Sequence, residues 1–512
     1  MNRASKMTTH QPQVDTVIVG AGLSGLCAAR EVHKAGLSFV ILEAMDRAGG
    51  RTLSLSTPTP SPPVHPEIKG TQVDLGASWI NNTTQREMHA LAVEARLDLV
   101  EQHFLGRCLL QKQDGHVKSY VWGFPDDVED LQHTVMMRFF GMLDCHSKEN
   151  LGPDAVMLDM VTLRALAEAN ASDKNVALDG KSRSVDEEEA EKEAAREAAE
   201  SLAGAFFGVG ADEISALFVI EQIKSVGGLE NMFSHLPDGG QHLRVRQGAQ
   251  SFSDHILSTL PLSSLHLSTP VTSIAQTKTT CTVSTATGQI FHCRKVILSI
   301  PSPLYGAMTF SPLLPAIRQT LFTRNTLGYH AKMVLLYESP WWRAAGLSGT
   351  MESHSSGSGG PISFTRDSSI PEVGHHSLTC FMVGAAGRRW ADLPAKERKA
   401  QVLRQIKTVF EASGSLREDE IPEPSWVGEK DWASDEWARG GIVSTKPCQG
   451  FLDDGMKNIM AEPFVHVHFV GSELAEAWRG YMEGAVRSGI KGGKEVVASL
   501  AAARSEGVRA QL

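Results

Sequence analysis

Val17-Ile18-Val19-Gly20-Ala21-Gly22-Leu23-Ser24-Gly25, an Ala-rich apolar stretch to about Ala35, and then Phe39-Val40-Ile41-Leu42-Glu43 decide how this chain is read. The β-branched run predicts a buried parallel strand, and the Ala-rich stretch predicts a helix. A second strand then ends on an acid. This order of strand, glycine turn, helix, strand and terminal acid is the βαβ dinucleotide fingerprint in its required context. Gly20 permits the tight turn, Gly22 lets the backbone approach a pyrophosphate, and Gly25 lets the helix pack close to the sheet. The diphosphate is expected on the open N–H groups and positive end of the helix. Glu43 is expected to accept hydrogen bonds from ribose hydroxyls.

Asp46-Arg47-Ala48-Gly49-Gly50-Arg51-Thr52 follows closely. Together with Glu43 it resembles the FAD-binding signature of flavin amine oxidases. In that family the Arg-x-Gly-Gly-Arg segment wraps the FAD diphosphate and runs under the flavin. The resemblance therefore implies FAD as cofactor, held in this first stretch by Gly20, Ala21, Gly22, Ser24, Gly25, Glu43, Ala44, Arg47, Gly49, Gly50 and Arg51.

With 512 residues the chain exceeds a single core, so two domains are expected. Hydrophobic residues at 42% and charged residues at 21% lie in the globular range. A net charge of −10 without a basic stripe argues against nucleic acid as partner. Seven cysteines with no CxxC pair read as reduced thiols. Met1 to Gln13 is polar, and no stretch is apolar and long enough to span a bilayer. A cytoplasmic location is expected. Ala510-Gln511-Leu512 loosely resembles a peroxisomal tail, with glutamine where a basic residue is usual.

Leu55 to Pro66, rich in Ser, Thr and Pro, reads as a surface loop. Leu91 to Cys108 and Met136 to Leu143 are apolar segments too short to assign singly. Asp186 to Ser201 is Glu, Ala, Lys and Arg, with opposite charges three and four apart. No buried face is visible there, so an exposed, solvated insertion is expected. From Asp212 an apolar run continues to Gly227-Gly228. Leu265 to Ile274, Cys281 to Ser284 and Ile290 to Ile300 alternate as strands.

Five further places in the chain resemble monoamine oxidases within the same family. Val73-Asp74-Leu75-Gly76-Ala77-Ser78-Trp79 is similar to the segment in which an acid, a glycine and an aromatic line the flavin edge, which implicates Gly76, Ala77, Ser78 and Trp79. Val271 matches the residue whose backbone meets the adenine. Tyr329-His330-Ala331-Lys332-Met333, before Pro340-Trp341-Trp342 and Gly349-Thr350-Met351, places Lys332 at the position that holds a water near flavin N5 and assists oxygen reduction. Alone, a strand lysine would usually be exposed. Lys430-Asp431-Trp432 brings Trp432 beside the flavin. Gly471-Ser472-Glu473 and Trp478-Arg479-Gly480-Tyr481-Met482-Glu483-Gly484-Ala485 resemble the final signature. There Gly471, Ser472 and Glu473 meet the ribityl chain and diphosphate, the helix from Met482 points at flavin N1 and O2, and Tyr481 forms one wall of the amine site.

Two departures stand out. Ile442 occupies the position of the cysteine that carries covalent flavin, and Val443 that of a tyrosine of the substrate cage. The flavin is therefore expected to be non-covalent, and the substrate longer or bulkier than small arylalkylamines. Fungal enzymes acting on long-chain amino-polyols of the fumonisin type are similar.

The resemblance implies an α/β fold, with a discontinuous Rossmann-like FAD-binding domain (14–88, 240–321, 436–505) interleaved with an α+β substrate domain (89–239, with the charged insertion at about 170–200, and 322–435). It implies oxidation of a primary amine, with ammonia and hydrogen peroxide released and with Lys332 and Tyr481 at the reacting centre. Partners are then a small-molecule amine and molecular oxygen, with no nucleic acid or membrane and a homodimer left open. A polyamine oxidase, a desaturase of the same superfamily and a non-catalytic FAD scaffold are the alternatives.

Overall fold

Val14–Val19 and Phe39–Leu42 form adjacent parallel strands, joined by the helix Leu23–Lys34. Val17, Ile18 and Ile41 are fully buried, as expected for strands covered on both faces. The computed structural model describes residues 13–58, 71–122, 131–172, 184–353, 359–449 and 459–509. The calls on Met1 to Pro12, 59–66, 173–183 and Ala510-Gln511-Leu512 lie outside the described residues.

The first sheet assembles from distant parts of the chain. Its order is Leu265–His266, Phe39–Leu42, Val14–Val19, Ile290–Leu298, Cys281–Thr285, Val271–Gln276 and Thr309–Ser311. Ile290–Leu298 is shared on its outer side. Its first half pairs antiparallel with Cys281–Thr285, and its second half pairs parallel with Val467–Phe469. Leu23–Lys34 and Met482–Arg509 pack together on one face, where Leu26, Cys27 and Val486 share an apolar cluster. Tyr305, Phe310 and Phe322 cover the other. The parallel strands all end toward one side, which is where α/β sheets bind ligands.

The second sheet runs Trp426–Asp431, His330–Tyr337, His376–Val383, Phe364–Asp367, Leu347–Ser353, Arg107–Gln111 and Val117–Val121. Alternation along His330–Tyr337 sends Ala331, Met333, Leu335 and Tyr337 into a core with Trp342 and Phe410. Lys332 and Val334 therefore face the opposite side, and Val334 packs there with Val73 and Leu75. Mixed sheets and packed helices make this an α/β fold, as expected above.

The structure corrects the reading of Asp186 to Ser201. These residues belong to a 23-residue helix, Val185–Phe207, started by a Ser184/Glu187 capping box. Ala194, Ala195, Ala198, Ala199, Leu202 and Ala203 form a buried face against Phe139, Leu163 and Phe218. The stripe was hidden because alanine is only weakly hydrophobic and Glu191 interrupts it. Glu191 is nonetheless buried, satisfied by Arg138 Nη2 at 3.0 Å. The outer face does carry the expected helical pairs, such as Lys192–Glu188. The loop reading of Leu55 to Pro66 also begins too early, since Ser54–Ser56 is a short strand paired with Gln72–Asp74.

Candidate active site

The two sheets and the helical layer enclose a cavity of about 1840 Å³. The carboxyl ends of the parallel strands supply Gly20, Glu43 and Ser299 to its wall, and the turn after Val467–Phe469 supplies Gly471, Ser472 and Glu473. Gly22, Ser24, Ala44, Gly49, Gly50, Arg51, Gly76, Ala77, Ser78, Trp79, Val271, Lys332, Trp432, Val443, Tyr481 and Met482 line the same space.

Three expected residues stand behind the wall. The Ala21 N–H donates to Glu43 Oε2 at 2.6 Å. Gly25 sits where a Cβ would lie 2.1 Å from the Gly20 carbonyl oxygen, so only glycine lets the helix begin so close to the turn. Arg47 does not reach the cavity. It donates to the carbonyls of Ala48, Gly50 and Thr52 and so braces the Gly49-Gly50 turn from within. Asp74 is likewise held behind the lining, accepting from Ser54 Oγ at 2.6 Å and Ala249 N–H at 2.8 Å.

The end of the cavity at the glycine turn combines an uncapped helix start with a buried carboxylate. The Leu23–Lys34 helix has no side chain capping its first turn and no acid in it. Gly22 has an ordinary φ of −72°, and a Cβ there would meet nothing within 4 Å. No protein atom requires this glycine, which leaves room for a diphosphate against the helix end. Glu43 also accepts from the Met45 N–H at 2.9 Å, and its carboxylate keeps lone pairs for a hydroxyl guest. Burial raises its pKa, opposed by these backbone donors. Arg51 donates to the Ile442 carbonyl at 2.7 Å.

At the other end, Lys332 is buried with only 8% exposure. Its ammonium donates to the Gly76 carbonyl and to Ser78 Oγ. It lies 4.8 Å from the Phe381 ring centre and 5.3 Å from that of Trp79. Burial pulls its pKa down to about 8, with Asp74 opposing. His330, fully enclosed two residues earlier, falls to about 4 for the same reason. Trp432 donates to the Leu75 carbonyl at 2.8 Å, which fixes its ring in the wall. Tyr481 meets Trp478 edge-on at 5.0 Å, and burial raises its phenol pKa. Val443 is packed against Gly480, whose Cβ would lie 2.9 Å from that of Val443.

Sequence reasoning missed much of the cavity's far wall: Tyr120, Trp122, Glu352, Phe364, Arg366 and Phe381. The alternation of Phe364-Thr365-Arg366-Asp367 could have marked Phe364 and Arg366 as one face. It could not say what that face meets.

Residues 23–497 match the family of flavin containing amine oxidoreductases. The chain belongs to this family. It is 29% identical to amine oxidase [flavin-containing] B of Homo sapiens over 94% of this chain and 86% of the relative. It is 28% identical to a probable flavin-containing monoamine oxidase A of Dictyostelium discoideum, over 94% and 97%. Among solved structures, cyclohexylamine oxidase from Brevibacterium oxydans IH-35A superposes with a TM-score of 0.80 at 25% identity, covering 96% of this chain and all of that one (100%). Putrescine oxidase bound to putrescine gives 0.79 at 26%, covering 95% and 99%. As a flavin amine oxidase, this chain is an oxidoreductase that uses FAD to oxidise amines, and the glycine turn, open helix end and Glu43 fit that cofactor. None of its seven cysteines lines the cavity, and Cys448 instead presents its carbonyl to Arg324. Among the described residues, no helix is long and apolar enough to cross a membrane.

Proposed function

We propose that this amine oxidase acts on a long or bulky primary amine, with FAD held non-covalently and the chain divided into the interleaved flavin and substrate segments given above. The observation that carries the reading is the single cavity shared by the nucleotide turn, Lys332 and Tyr481. FAD supplies the acceptor for the electrons of the amine α-carbon and returns them to oxygen. In this reading the chain's residues position and shield. Gly22 and Arg51 hold the diphosphate end, and Glu43 holds the ribose. Val271, Trp432, Gly471, Ser472, Glu473 and Met482 line the remainder, while Tyr481 walls the amine site. The Trp79 and Phe381 rings make the surroundings of Lys332 largely apolar, which favours the neutral amine. Val443, which lines the cavity where the family has a tyrosine, is smaller than the ring it replaces, and this supports a larger substrate.

Anaerobic mixing with a panel of amines tests this directly. Long primary amines should bleach the flavin faster than small arylalkylamines. Fastest bleaching by a small arylalkylamine would overturn the size reading, and fastest bleaching by a polyamine's secondary nitrogen would favour the polyamine oxidase alternative. The flavin link has its own test. Ile442 stands at the linking position and no thiol reaches the cavity, so acid precipitation should leave all yellow colour in the supernatant. Colour that stays with the pellet would refute non-covalent binding.

A further inference from the structure

The far wall of the cavity carries an ion pair that the oxidation of an amine does not use. Lys332, Phe381, Phe364 and Glu352 stand directly opposite one another on four strands of the second sheet. Lys332 lies 4.8 Å from the Phe381 ring centre, and the Phe381 and Phe364 rings stack at 4.3 Å. Arg366, two residues beyond Phe364 on the same face, puts Cζ 5.1 Å from the Phe364 ring centre. A substrate lying along this row from Lys332 would reach Arg366 and Glu352 after crossing two rings.

Arg366 is held rigidly. Its side chain is only 5% exposed, and its guanidinium also lies 5.2 Å from the ring centre of Trp122 and 5.8 Å from that of Phe104. Nε donates to Gln241 Oε1 at 3.1 Å and Nη1 to the Thr365 carbonyl at 2.9 Å. The remaining nitrogen, Nη2, faces Glu352 Oε1 at 3.6 Å, beyond hydrogen-bond distance. Glu352 lies near the Tyr120 phenol, whose pKa burial pushes well up. Both members of the pair line the cavity.

We infer that Arg366 and Glu352 together recognise an uncharged hydroxyl on the substrate, remote from its amine. This rests on the amine oxidase reading and names the group at the substrate's far end. The argument is one of charge and of donors. A carboxylate drawn to Arg366 would meet Glu352, and an ammonium drawn to Glu352 would meet Arg366. Each ionic guest gains one attraction and suffers one repulsion in a site that must also desolvate it. A hydroxyl accepts from Nη2 and donates to Glu352, satisfying both ends of a pair too far apart to bond directly. Because the rings already fix Arg366, little side-chain freedom is lost on binding. A methyl group in the same place would cover both charges without offering either a partner, which is how a polar site rejects an apolar analogue.

The experiment uses the FAD-loaded full chain and four primary amines of equal length ending in methyl, hydroxyl, carboxylate or ammonium. The hydroxyl-ended amine should exceed the methyl-ended one in kcat/KM by about ten- to a hundredfold, the range for a hydrogen bond to a charged group. Arg366→Leu and Glu352→Met, which remove the donor and the acceptor, should each bring that ratio close to one. Glu352 is partly exposed, so its variant serves if Arg366→Leu fails to fold. A wild-type preference for the carboxylate or ammonium end, no hydroxyl preference at all, or a preference that survives Glu352→Met would overturn the inference. Anaerobic bleaching by none of the four would overturn the oxidase reading and this inference with it.

Discussion

Lys332→Met should slow the oxygen half-reaction by about a hundred- to a thousandfold, the usual worth of one preorganised donor at a developing charge. The amine half-reaction should stay close to wild type. The expectation rests on where the ammonium sits. It is buried in the cavity wall, fixed by the Gly76 carbonyl and Ser78 Oγ and flanked by the Trp79 and Phe381 rings. On the proposed role a cation so placed would act on oxygen as it gathers electrons, whereas loss of hydrogen from a neutral amine needs no positive charge there. Met retains the bulk of the stem, and Asp74 keeps its bonds from Ser54 and Ala249, so fold and FAD content should survive.

The same residue predicts a pH dependence. Burial places the Lys332 pKa at about 8, so the cation predominates below that value and is lost above it. The wild-type oxygen step should therefore weaken as pH rises through about 8, and the Met variant should lack that decline. Rapid mixing measures each half-reaction separately. An unchanged oxygen step in Lys332→Met would return this residue to a purely structural role.

Gly25→Ala should strip the protein of most of its FAD. The added Cβ would lie 2.1 Å from the Gly20 carbonyl oxygen, a contact that no rotamer relieves because both groups are on the main chain. The turn cannot retreat either. Gly20 has φ +98°, and a Cβ there would be 2.8 Å from the Ser299 carbonyl oxygen, so the turn is already pressed against the next strand. The helix start must move away from the diphosphate. Strain of this kind costs about 1–3 kcal/mol, equivalent to about five- to a hundredfold in affinity. The ratio of flavin to protein absorbance, with titration of FAD into apoprotein, reads the effect. Full occupancy with unchanged affinity would show that the close approach is not needed to hold the cofactor.

The contrast between these two residues shows what a sequence carries. Gly20, Gly22 and Gly25 act through the backbone of one contiguous turn, and Glu43, just past the next strand, braces that turn through its carboxylate, so their spacing alone marks the strand, the helix start and the turn between them. Ile442 and Val443 are read in the same way, as departures from a motif whose positions are counted along the chain, and that reading is part of the proposal. Lys332 was legible only through its neighbours. Its burial comes from strands of distant sequence, His376–Val383 and Trp426–Asp431, that flank it on either side.

Elsewhere the sequence misled or was silent, and the reason is physical. The alanine face of Val185–Phe207 carries too little hydrophobicity per residue to declare itself. It is buried because Phe139, Leu163 and Phe218 come from other helices to meet it, and because Arg138 satisfies Glu191 there. Arg47 has the composition of a ligand-binding arginine, yet three nearby carbonyls claim its guanidinium. Arg366 and Glu352 are fourteen residues apart and look like ordinary strand charges. Only the register of the second sheet, setting Glu352 opposite Phe364 and Phe364 opposite Phe381, brings them to one wall of the cavity. Local backbone geometry is written in consecutive residues. The burial and pairing of a charge depend on strands and helices that the chain supplies from elsewhere, and those were decided by the tertiary structure.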